Sequence, residues 1–178
     1  MSSRKLLHFR AAAIVLLLSG SRILAAGSTP PKYRLRLYNL HTGERLNTVY
    51  RIGDQYQPAA VARLDHFLRD YRTGSVRDYD VREFDLLHDL LARLGRPDGE
   101  IDIVCGYRTR RTNERLRQQG HAVALHSQHI EARAIDIRVP GFTAARVRDA
   151  ALSLHRGGVG YYAESGFVHV DVGRVRRW

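Results

Sequence analysis

One cysteine, Cys105, is all the chain has, so no disulfide forms within it and the fold must stand on apolar packing. Lysine is nearly missing as well. Lys5 and Lys32 stand alone, and arginine supplies the rest of 29 cationic side chains. Acidic residues number 18, which leaves a formal net charge of +11. That balance suits an acidic partner, with an arginine-rich but merely solvated surface as the plainer alternative. No basic–aromatic motif accompanies the charge, so nucleic acid is not the expected partner. The sequence carries no internal repeat and no long low-complexity tract. Its 178 residues suffice for one domain with a real core.

The N-terminal apolar run, Ala11 to Leu18, is too short for a comfortable membrane span and is soon followed by Arg22. Arg4, Lys5 and Arg10 precede it, and Ala25, Ala26 and Gly27 follow as small residues. This order predicts a secretory signal over residues 1–26, with an uncleaved anchor as the alternative. Removing that segment, with its four basic residues and no acid, lowers the charge from +11 to +7. Residues 27–178 are then one exported, monomeric domain in the periplasm or cell envelope. It meets the membrane only if the signal is kept as an anchor.

Alternation at Tyr33–Tyr38 and Arg45–Tyr50, around a turn with Gly43, predicts an N-terminal hairpin. Helical spacing follows from Pro58 to Tyr71. A second helix is expected to start at Asp80, with Glu83 completing a capping box, and to end at Gly95. Ile101 to Val104 reads as a short strand, which places Cys105 as a small buried residue rather than a nucleophile. Thr112–Gln119 and Thr143–His155 read as further helices, and Val159–Tyr162 with Phe167–Asp171 as a last hairpin. The sum is an α+β domain with a mostly antiparallel sheet and helices packed on it.

Two alternating runs carry the chemistry. In Ala134–Val139, Ile135, Ile137 and Val139 take one face and Asp136 the other. In Phe167–Asp171, Val168 and Val170 share a face, with His169 and Asp171 opposite. Side by side, such strands present Asp136 and His169 together, and His129 arrives from the loop before them. Two imidazoles and one carboxylate suit zinc with an open fourth position, the mark of a hydrolytic rather than a structural site. Spacing alone leaves a second reading open, an exposed strand face with no metal.

Ser127, His129, Ala132, Ala134 and Asp136, followed by His169 in Val-His-Val-Asp, resemble the pattern of the zinc D-Ala-D-Ala carboxypeptidase family. The closer similarity is to its MepK-type branch of murein endopeptidases. Supporting segments are Asn39–Glu44, Gly106-Tyr107-Arg108, Thr112–Arg117, Gly157–Tyr162 and Trp178, so the resemblance spans about Tyr33 to Trp178. It implies one zinc on His129, Asp136 and His169, at the face of the sheet, and Arg108 holding substrate. It also implies hydrolysis of peptide bonds in peptidoglycan, on stem peptides or cross-links, by an endopeptidase or a D,D-carboxypeptidase-like activity. A non-catalytic wall-binding or regulatory module is the alternative.

Two departures bear on this. Ala132 stands where the family has glycine, at a cost of about 1 kcal/mol if positive φ is required there. Phe167 and Gly166 occupy positions that in related enzymes hold a proton acceptor. The base is then sought first at Asp171, which is equally suited to orienting a ligand imidazole, and next at His126 and Glu131. Ser127 reads as a loop-fixing hydrogen-bond donor.

Overall fold

A computed structural model describes residues 29–120 and 123–178, so the expected signal segment lies outside the described residues. Among the described residues the strands are β1 (Lys32–Asn39), β2 (Arg45–Ile52), β3 (Gln55–Tyr56), β4 (Glu100–Cys105), β5 (Ala134–Arg138), β6 (Gly158–Tyr162), β7 (Phe167–Asp171) and β8 (Arg176–Arg177). The helices are α1 (Pro58–Phe67), α2 (Arg82–Arg93), α3 (Arg110–Gln118) and α4 (Ala144–Ser153). All eight strands form one sheet in the order β3-β2-β1-β4-β5-β7-β6-β8. Only β1–β4 and β6–β8 run parallel. The domain is therefore α+β with a mostly antiparallel sheet, as the alternating runs predict. No helix among the described residues is long and apolar enough to cross a membrane.

Leu35 and Leu37 of β1, Ile101 and Ile103 of β4, Ile135 and Ile137 of β5, and Val168 and Val170 of β7 are buried almost completely. Phe84, Leu87, Leu90 and Leu91 of α2 are buried with them, and each side chain removed from water contributes about 1.5–3 kcal/mol. The helix ends in a Schellman arrangement, with Arg96 N–H donating to Leu91 O at 2.9 Å and Gly95 N–H to Ala92 O at 3.0 Å.

Its start corrects the expected capping box. The N-cap is Val81, and no side chain caps the helix. Asp80 instead turns its carboxylate to the backbone and guanidinium of Arg82. Glu83 points inward, fully buried, and neither of its carboxylate oxygens has a hydrogen-bond partner among the described residues. A capping glutamate must reach back over the helix end, and here the inward face of the first turn claims that position.

Other boundaries shift by a few residues. α1 stops at Phe67, where Leu68 to Asp70 turn out of the helix to meet the loop after β4. α3 starts at Arg110 because Thr109 caps it, its Oγ accepting from Thr112 N–H at 3.1 Å. Ala132 does adopt positive φ, at 50°, and is fully buried.

Candidate metal centre

One rung across the sheet builds the site. Asp136 on β5 pairs directly with His169 on β7, and His169 with Gly160 on β6. On the other side Asp136 pairs with Cys105 of β4. An irregularity in register between Ile103 and Cys105 brings the cysteine opposite Asp136. Cross-strand partners share a face, so this rung lies opposite the one that Ile135, Ile137, Val168 and Val170 bury. The side chain on Gly160 is absent for a reason: a Cβ there would strike the indole of Trp178, which lies over His169 at 5.1 Å between ring centroids.

His129 enters from the loop before β5. That loop is fixed by Ser127, whose Oγ accepts from His129 N–H at 3.3 Å and from Arg108 Nη2 at 3.4 Å. Ser127 thus serves the loop as an acceptor rather than as a donor. Arg108 N–H donates to His129 O at 3.2 Å, so the loop and the segment after β4 hold one another.

The tautomers follow from the outer partners. His129 Nδ1 lies 2.8 Å from Gly106 O, so it carries the proton and leaves Nε2 for the site. His169 Nε2 lies 3.0 Å from Asp171 Oδ2, which leaves its Nδ1 for the site. Those two nitrogens are 3.1 Å apart, and Asp136 Oδ1 lies 3.2 Å from the first and 2.9 Å from the second. Ligands about 2.0–2.1 Å from a tetrahedral zinc are separated by about 3.3 Å, close to this triangle. The donor set fits the ion. His129, Asp136 and Cys105 also form a metal-competent group, with ligand atoms within 4.8 Å of one another.

Charge agrees with geometry. Burial opposes a charge on either partner, yet the facing Asp136 raises the His129 pKa well above its ordinary value. Burial likewise opposes the Asp136 carboxylate, but His129 and His169 hold its pKa well below the usual range. A buried anion faced by two imidazoles draws positive charge into the triangle, a demand that a divalent cation meets.

Asp171 is fully buried. Its Oδ1 accepts from Gly158 N–H at 3.1 Å and Gly173 N–H at 2.8 Å, and Arg176 bridges both oxygens at 3.1 and 2.7 Å. Gly158 carries no side chain because a Cβ would strike Asp171 Oδ2.

A cavity of about 340 Å³ opens over the triangle, with Arg72, Arg108, His126, Tyr162 and Trp178 in its walls. Arg108 is 6% exposed, and its Nε has no partner among the described residues. It is no surface arginine. His126 remains exposed in the wall. Glu131 pairs instead with Arg77 at 2.7 Å and Arg110 at 3.6 Å.

Sequence reasoning missed two residues here. Cys105 was expected to be a small core residue and is half-buried at the rung. The alternation of β4 would have kept it off that face, and a bulge leaves no mark in a hydrophobic pattern. His41 also lines the cavity, stacked on Tyr71 at 4.0 Å and bonded to Val104 O at 2.9 Å. Burial first, and Arg72 nearby, lower its pKa.

Comparison with known proteins assigns the chain to a family. The chain is 38% identical over 177 residues to a "Probable peptidoglycan L,D-endopeptidase MepK" of Haemophilus influenzae, covering 99% of this chain and 95% of that one. It is 38% identical over 175 residues to a peptidoglycan L,D-endopeptidase MepK of Escherichia coli, covering 98% and 96%. The family model described as peptidoglycan L,D-endopeptidase MepK matches residues 27–178, and the chain belongs to that family.

Proposed function

We propose that this protein is an exported zinc peptidase that cleaves peptide bonds in peptidoglycan stem peptides or their cross-links. The relatives' names favour endopeptidase over carboxypeptidase action. The observation that carries the metal reading is the triangle of His129 Nε2, His169 Nδ1 and Asp136 Oδ1, each pair 2.9–3.2 Å apart. These three residues would hold zinc, which supplies Lewis acidity toward a scissile carbonyl and lowers the pKa of water.

The protein's own groups do the rest. Gly106 O and Asp171 fix the two imidazoles in the tautomers that leave Nε2 of His129 and Nδ1 of His169 as donors. Asp171 is buried, and both its oxygens are engaged, so its role is to orient His169 rather than to take a proton from substrate. His126, exposed in the cavity wall, would accept a proton and return it to the leaving amine. Arg108, held by Ser127, turns a planar cation to the cavity and suits a peptide carboxylate or carbonyl. Arg72, 4.2 Å over the Tyr71 ring, adds positive charge to the same wall.

Digestion of purified sacculi by the protein, with chelator and then zinc restored, tests the reading. Conversion of cross-linked muropeptides into uncross-linked or shortened ones, seen after muramidase release, lost with chelator and regained with zinc, is expected. Sacculi left intact by the zinc-loaded protein would overturn it.

A further inference from the structure

The register irregularity in β4 has chemical weight. It sets Cys105 opposite Asp136, on the rung that continues to His169. The thiol sulfur, a ring nitrogen of His129 and a carboxylate oxygen of Asp136 lie within 4.8 Å of one another. Cys105 also lines the cavity over the triangle. Outside the site its thiol makes a weak hydrogen bond to Gly106 O at 3.6 Å, so little ties the sulfur elsewhere. Around a tetrahedral zinc, a sulfur about 2.3 Å from the ion sits about 3.6 Å from a nitrogen or oxygen ligand. The sulfur would have to draw toward the triangle to reach that separation.

We propose that Cys105 is a fourth protein ligand, closing a two-histidine, one-carboxylate, one-thiolate set when no substrate is bound. The inference rests on the metal reading above and extends it to a residue outside the expected three. Cys105 would bind as the thiolate, its S–H proton passing to solvent through the open cavity. No oxidant or reductant is needed. Four protein ligands describe a closed site and hydrolysis needs an open one, so the thiolate would have to give way for a substrate. Thiolate is a softer donor than carboxylate or imidazole, which biases the site toward zinc over harder divalent ions.

Cobalt(II) reports on the coordination directly. The purified full chain is titrated with cobalt(II), followed by absorption in the visible and the near ultraviolet. One equivalent should bind and give both ligand-field bands and a sulfur-to-cobalt charge-transfer band. Cys105→Ser should keep the ligand-field bands and lose the charge-transfer band. Bound metal should also slow alkylation of Cys105 by iodoacetamide in the wild-type chain, and removing it should restore the rate. Stoichiometric cobalt without a charge-transfer band in the wild type would overturn the cysteine ligand and leave the three-ligand site standing. Failure of the wild type to bind cobalt or zinc would overturn both.

Discussion

His169 is held from behind by Asp171: the imidazole Nε2 lies 3.0 Å from Oδ2 of a carboxylate with no exposure to solvent. Arg176 and two backbone N–H groups hold that carboxylate in turn. The imidazole therefore presents Nδ1, not Nε2, toward Asp136. Loss of such a partner weakens metal sites by about 10- to 100-fold. Asp171→Asn is expected to lower zinc affinity by that much, with hydrolysis following metal occupancy. Zinc affinity and muropeptide turnover on one preparation decide it. Full zinc with turnover reduced by about 10²- to 10⁴-fold would make Asp171 the proton acceptor instead.

His126→Gln should keep the zinc and lose about 10²- to 10⁴-fold in turnover, the usual worth of a general base. Turnover within a few-fold of wild type would remove His126 from the reaction.

Arg108→Ala should retain zinc but impair turnover on a defined cross-linked muropeptide. One charge-assisted bond to substrate is worth roughly 1.5–3 kcal/mol, or about 10- to 150-fold. Arg108 also braces Ser127, so metal content is measured alongside the kinetics. Unchanged turnover would assign Arg108 to loop bracing alone.

Glu83 offers a stability test on a residue packed close to Asp171 and His129 but given no part in the reaction. It is fully buried, its two oxygens have no partner among the described residues, and desolvation pushes its pKa well above the ordinary value. The raised pKa means that its stabilising share is fully present below the unfolded-state value near 4.3 and is lost as pH rises through the folded value. Across that window the wild type should lose about 1.4 kcal/mol per pH unit from this one group. Glu83→Leu should lack that slope and be the more stable protein at neutral pH. Urea unfolding of both chains across pH 4–8 gives the answer, and parallel curves would contradict it.

Much of this was legible in the sequence. The alternation of Ile135, Ile137, Val168 and Val170 placed Asp136 and His169 on one face, because a period of two leaves little freedom once one face is buried. Arg108 and Ser127 were found through the family pattern, and the structure adds that they hold each other. The capping role of Glu83 was misread because capping boxes and inward-facing first turns share a spacing. Cys105 escaped because one bulge reverses the face of every residue beyond it. The tautomers of His129 and His169 depend on Gly106 O and Asp171, contacts whose partners are fixed only by tertiary structure.

Metal content per folded chain tests the central claim most directly. Wild-type protein, loaded with zinc and freed of excess, should carry one zinc. His129→Ala, Asp136→Ala and His169→Ala should each lose it while circular dichroism shows the fold retained. A wild-type chain without zinc, or one equivalent remaining on any folded single variant, would contradict the three-residue site.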